Sequence, residues 1–175
     1  IAKWFLENCA EEDRVLYESF KNDNSSWLDS YANFMSIKSF YDKKAQEEKL
    51  FGIETVWFNY WPKELSKCDP LAVSKWNSEH TLEIEIIKVI QFFFFYQWSS
   101  LKKYANDNGV SIIGDIPIFV AADSCDVWAN QQLFQLDENS IPKNVAGVPP
   151  DYFCATGQLW GNPLYDWNQM KKTNY

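Results

Sequence analysis

The chain of 175 residues contains a single histidine, His80, and a single arginine, Arg14, against 24 aspartates and glutamates. A Ser-His-Asp triad would have to be built on His80, which sits in "NSEHTLE" at the start of a periodic segment, a place suited to capping or solvation. Carboxylates and aromatic rings are therefore the groups with which this sequence can do chemistry. Asp115 is the first of interest. It interrupts the β-branched run "VSIIGDIPIFV", where an unpaired charge loses solvation and must be paired, hydrogen-bonded or placed at a strand end near water. It either serves a site at the carboxyl end of a strand or ties down its own loop. The second feature is "GVPPDYFCATGQLWGNPLYDW", Gly147 to Trp167, with five aromatics, three prolines and three glycines in a chain that has only six glycines and seven prolines. Proline fixes φ and glycine permits turns closed to other residues, so this is a defined irregular path. Such a loop either folds onto its own core or grips a ligand.

Carboxylates with aromatic rings suit a carbohydrate. A pyranose has apolar C–H faces that stack on indole and phenol rings, and a rim of hydroxyls that needs carboxylate and amide partners. In this loop Tyr152, Phe153 and Trp160 are candidate platforms, and Asp151, Gln158 and Asn162 are candidate rim contacts. The acidic runs Glu11, Glu12, Asp13 and Glu83, Glu85 read as solvated helix faces.

Composition narrows the alternatives. A net charge of −8 opposes binding to nucleic acid, because phosphate neutralisation needs a basic surface. Cys9, Cys68, Cys125 and Cys154 lie far apart without a C-x-x-C pair, which reads as reduced thiols in a cytoplasmic protein and gives no metal site. No nucleotide or zinc motif is present, so no cofactor is expected. "VIQFFFFYQW", the most apolar run, is too short for a membrane span of about 18 residues or more.

The elements that must position these groups follow from periodicity. Residues 1–50 repeat apolar positions every three and four, which predicts helices with a polar break at Asn22 to Ser26. Pro62 opens a short helix, "PKEL", and Pro70 ends that connection. A long helix is predicted from about Asn77 to Asn106, with Ile84, Ile87, Phe94, Trp98, Leu101 and Ala105 on one face and Phe92 to Phe95 buried on more than one side. "VSIIGDIPIFV" then reads as a parallel strand covered on both faces, the second half of a βαβ unit. "ADSCDVWANQQLF" reads as a loop and short helix, and "QLDENSIPKNVAGV" as a turn or small hairpin.

The blocks "GDIPIFVAADSCDVWAN", "LFQLD", "VAGVPPDYFCATGQLWGNPLYDW", "SSWLDSYANFMSIKSFY" and "QFFFFYQWSSLKKYANDNGV" closely resemble the 4-α-glucanotransferases called amylomaltases or disproportionating enzymes, from about Ser25 to Trp167. The resemblance implies an α/β fold, part of a (β/α)8 barrel whose third strand lies at about 110–119. Residues 1–107 would be a mainly helical insertion and 108–175 the barrel strand with substrate-binding loops, in a chain expected to be truncated at both ends. It implies Asp115 in the floor of the active site as a supporting residue, and Asp151, Tyr152, Phe153, Gln158, Trp160 and Asn162 around maltooligosaccharides or other α-1,4-glucans. The activity implied is a retaining double displacement without a cofactor. Its nucleophile and general acid are expected beyond Tyr175, so no catalytic residue is assigned here. A noncatalytic glucan-binding protein and a hydrolase of the same clan are the alternatives. The implied compartment is cytoplasmic, or a plastid in a plant or alga, with no nucleic-acid or membrane partner.

Overall fold

The computed structural model describes residues 1–175, in two compact units: Ile1–Ser39 with Ser74–Ile116, and Phe40–Val73 with Pro117–Tyr175. The units interleave along the chain. Nine helices run in order: α1 Ala2–Asn8, α2 Glu11–Asp23, α3 Leu28–Glu47, α4 Trp57–Tyr60, α5 Lys63–Ser66, α6 Pro70–Glu79, α7 Thr81–Asp107, α8 Cys125–Ala129 and α9 Trp167–Lys172. Two strands, β1 Val145–Val148 and β2 Gln158–Pro163, form an antiparallel pair. No helix is long and apolar enough to cross a membrane.

In the first unit, α1 and α2 pack on α7. Ala2, Phe5, Tyr17, Val89 and Phe92 are buried together, with Phe20, Ile86 and Phe93 around them. The rings meet edge-on or tilted, Phe5 on Tyr17 at 5.8 Å and Tyr17 on Phe92 at 5.6 Å, the arrangement aromatic quadrupoles favour. Glu11, Glu12 and Asp13 fill the exposed first turn of α2, where negative charge complements the helix dipole. Glu85 departs from the solvated face expected of it. Its carboxylate is half-buried, accepts the Tyr17 hydroxyl at 2.9 Å and pairs with Lys21 and Lys88 at 3.4 Å each. Burial and then the Glu85 charge hold the Tyr17 phenol well above its ordinary range. His80 occupies the N-cap position of α7, as expected, but caps through its backbone carbonyl rather than its side chain, and its ring stacks on Trp76 with centroids 3.9 Å apart.

One sequence expectation is extended and two need correction. Pro70 opens α6 as its first residue, since a proline loses nothing at a position whose N–H has no intrahelical partner, and Asp69 Oδ1 caps the turn by accepting the Leu71 and Ala72 amides at 3.0 Å. On the expected face of α7 Ile84 is buried, but Phe94 and Leu101 are more than half exposed, and Phe95 of the Phe92 to Phe95 stretch is exposed as well, because the residues packed on α7 cover the Val89 and Phe92 side instead. The run 110–119 forms no hydrogen-bonded strand, and Ile113 is 93% exposed. A strand is held by its neighbours, and no other segment of the 175 residues pairs with this one.

The second unit is organised by tryptophans. Trp57 and Trp128 are fully buried, and each indole N–H finds a carbonyl, Trp57 on Ala122 at 3.0 Å and Trp128 on Leu65 at 2.7 Å. Gln131 donates to the Ser66 carbonyl at 2.8 Å, so the α5 turn and the α8 region are joined by side-chain bonds to backbone. Ser124 caps α8 by accepting the Val127 amide. Residues 135–143 make the small turn expected of them, closed by Asp137 Oδ1 on the Asn139 and Ile141 amides at 2.9 Å.

Candidate functional site

The aromatic loop is the connection of a hairpin. Val148 pairs with Gln158 and Gly147 with Leu159, with an irregularity between Val145 and Gly147. Two glycines let the strands close at the loop's base. A Cβ on Gly147 would lie 2.6 Å from the Gln158 oxygen, and one on Gly157 2.6 Å from the Val148 oxygen, with Gly157 at φ +71°. Above this base the turn is locked from within. Asp151 Oδ1 accepts the amides of Phe153 at 2.9 Å and Cys154 at 2.8 Å, and the Asp151 amide donates to the Cys154 carbonyl at 3.0 Å. The Gly157 amide reaches the same carbonyl at 3.1 Å, and Cys154 Sγ donates to the Gly157 oxygen at 3.0 Å. Hydrogen bonding by Thr156, through its side chain and backbone, lowers the Cys154 thiol from its ordinary value.

This frame holds two rings out in solvent. Tyr152 is 96% and Phe153 91% exposed, edge-on to each other at 5.5 Å. Trp160, on β2, is 46% exposed, and its indole N–H donates to Gln158 Oε1 at 3.1 Å. Its inner side rests edge-on against Phe119 at 6.2 Å. Phe119 in turn stacks on Tyr165 at 6.0 Å with 14° between planes, and Tyr165 packs on Phe134 and Trp167. Asn162 Nδ2 donates to the Val120 carbonyl at 2.9 Å, fixing the residue after Phe119 to β2.

Six of the seven residues singled out from sequence are thus gathered on one hairpin and its loop. The three polar ones have internal partners: Asp151 shapes the turn, Gln158 orients Trp160, and Asn162 anchors the 119–120 segment. Asp115 belongs to the other unit, where it is exposed and its Oδ1 accepts the Ile116 amide at 2.8 Å. Sequence reasoning missed Phe119 and Tyr165. Phe119 closes an apolar run and Tyr165 lies in a turn-rich string, so neither carries a local signal of their stacking. No group of three or more His, Cys, Asp or Glu side chains comes together to hold a metal ion.

Comparison with known proteins adds an independent line. The glycoside hydrolase 77 family model, described as 4-alpha-glucanotransferase, matches residues 1–175. A 4-alpha-glucanotransferase of Streptococcus pneumoniae is 42% identical over 160 residues, covering 91% of this chain and 29% of the relative. That of Thermus thermophilus is 40% identical over 171 residues, 98% of this chain and 32% of its own. A chloroplastic/amyloplastic 4-alpha-glucanotransferase of Solanum tuberosum is 38% identical over 160 residues, 90% of this chain and 26% of its own. Among solved structures, an amylomaltase from Streptococcus agalactiae in complex with acarbose superposes with a TM-score of 0.83 at 36% identity, over 97% of this chain and 31% of that one. The chain therefore spans about a third or less of the length of the proteins it matches. Its fold is α/β, part of a (β/α)8 barrel with a largely helical insertion. In such a barrel every strand is paired on both sides and the helices cover the sheet, which accounts for the unpaired run 110–119 and the open face of α7 in a segment of this length.

Proposed function

Because this chain belongs to the 4-alpha-glucanotransferase family, we propose that it supplies the glucan-covering loop of an enzyme that moves α-1,4-glucan segments between maltooligosaccharides. The observation that carries this reading is the pair Tyr152 and Phe153, held almost fully exposed by a turn that is itself hydrogen-bonded shut. Exposed rings on a rigid support lose little conformational freedom on binding, and their faces match the C–H faces of glucosyl units. Trp160 offers a third ring, oriented by Gln158 and braced by Phe119.

The chemistry is a retaining double displacement. An enzyme carboxylate displaces the leaving sugar to form a glycosyl-enzyme, a second carboxyl protonates the departing oxygen, and the hydroxyl of an acceptor sugar resolves the intermediate. We assign neither carboxyl to a residue of 1–175. The part given to this chain is binding and water exclusion: rings closed over the acceptor sugar disfavour water and so favour transfer over hydrolysis. Asp115 acts as a supporting charge, and Asp151, Gln158 and Asn162 position the platforms while offering their remaining polar atoms to sugar hydroxyls. We place the protein in the cytoplasm, or in a plastid where the host is a plant or alga, with no nucleic-acid or membrane partner.

The test is incubation of the full-length protein carrying this segment with maltotriose. Glucose together with maltooligosaccharides longer than the substrate is the expected product pattern. Glucose and maltose alone would make the protein a hydrolase, and tight binding without products would make it a noncatalytic glucan binder.

A further inference from the structure

Cys68 and Cys125 are distant in sequence, yet both belong to the second compact unit and flank the same contact. The Leu65 carbonyl at the end of α5 accepts two donors, the Trp128 indole N–H at 2.7 Å and the Cys68 amide at 3.1 Å. Cys68 is therefore folded back over α5, with its backbone turned to φ +52°. Cys125 is the first residue of α8, three positions before Trp128, and residues three apart share a helix face. It thus lies on the side of α8 that Trp128 presents to Leu65. Two further bonds hold these segments together, Trp57 to the Ala122 carbonyl at 3.0 Å and Gln131 to the Ser66 carbonyl at 2.8 Å. Both thiols are half-buried. Burial, then the charge of Asp126 and that of Cys68, pushes the Cys125 thiol up to about 12, while burial and Asp69 raise Cys68.

We propose that Cys68 and Cys125 form a dithiol modification site that a low-molecular-weight disulfide, such as oxidised glutathione, converts into an intramolecular bridge between the end of α5 and the start of α8. The exchange balances in two steps. The Cys68 thiol loses its proton and attacks one sulfur of the oxidant, whose S–S bond breaks and releases one glutathione thiolate to take up that proton. The Cys125 thiol then loses its proton and attacks Cys68 Sγ in the mixed disulfide, releasing a second glutathione as its thiol. Two electrons pass from the protein thiols to the oxidant. Raised thiols attack slowly and leave slowly, so the bridge forms gradually and, once formed, resists reduction. Cys9 belongs to the other unit and Cys154 to the exposed loop, and they serve as internal controls.

The experiment treats the full-length protein, folded, with oxidised glutathione, blocks remaining thiols with N-ethylmaleimide, and maps unreduced peptides by mass spectrometry. The expected result is a Cys68–Cys125 linked peptide, two hydrogen masses below the sum of its parts, as the dominant linkage. Cys154 should carry glutathione instead, and Cys125→Ala should leave Cys68 stranded as its glutathione adduct. Separate glutathione adducts on Cys68 and Cys125 in the unsubstituted protein would overturn the pairing. So would linkage of either to Cys9 or Cys154, or both thiols recovered alkylated after treatment prolonged until no further thiol is lost.

Discussion

Replacing Tyr152 and Phe153 together by alanine separates ligand binding from stability, because these rings support almost nothing in the fold. A fully buried aromatic ring hides roughly 200 Å². At 96% and 91% exposure the two side chains together hide only a small remainder, about 25 Å², which at about 25 cal/mol per Å² contributes roughly 0.6 kcal/mol. For a chain of this size that is about 2 °C in melting temperature. Loss of one central aromatic anchor from a ligand contact costs on the order of 2 kcal/mol, about 30-fold in affinity, and the pair should lose more than that without simple additivity, since the rings touch. The assay is maltotriose titration of the full-length variant by calorimetry beside a thermal melt. An affinity within about twofold of the parent, in a protein that melts normally, would refute the assignment of these rings as a glucan cover.

Further outcomes follow from the same hairpin. Gly157→Ala places a Cβ 2.6 Å from the Val148 oxygen at φ +71°, so it should lower stability by about 2 kcal/mol or more and move the melting temperature by several degrees. Asp151→Asn keeps the acceptor for the Phe153 and Cys154 amides, whereas Asp151→Ala removes two bonds worth about 1 kcal/mol each; hydrogen exchange at those amides should quicken only in the alanine variant. Alkylation by iodoacetamide at pH 8 should label Cys154 well before Cys125, since the Thr156 contacts lower the former and burial and Asp126 raise the latter to about 12; the thiolate fraction, which reacts, is larger where the thiol lies lower. Equal rates, read by mass spectrometry against time, would count against the local geometry of both.

Much of this organisation is fixed by local sequence. The helices of residues 1–50 and α7 are set by apolar spacing, the short helix after Pro62 and the turn at Asp137 by residues whose φ or side chain permits little else, and the path of the 147–167 loop by its prolines and glycines. The aromatic and polar candidates on that loop, and the family they point to, were legible for the same reason: they are consecutive in the chain.

Tertiary structure decided what depends on partners far away in sequence. The role of Pro70 turned on Asp69 capping a helix that no strong periodicity announces, and that of Glu85 on a tyrosine and a lysine from α2. Phe119 and Tyr165 brace Trp160 only because Asn162 draws Val120 to the hairpin. The same logic explains the run 110–119. Its composition suits a buried strand, but composition supplies only one side of each hydrogen bond, and a strand exists where another backbone supplies the other.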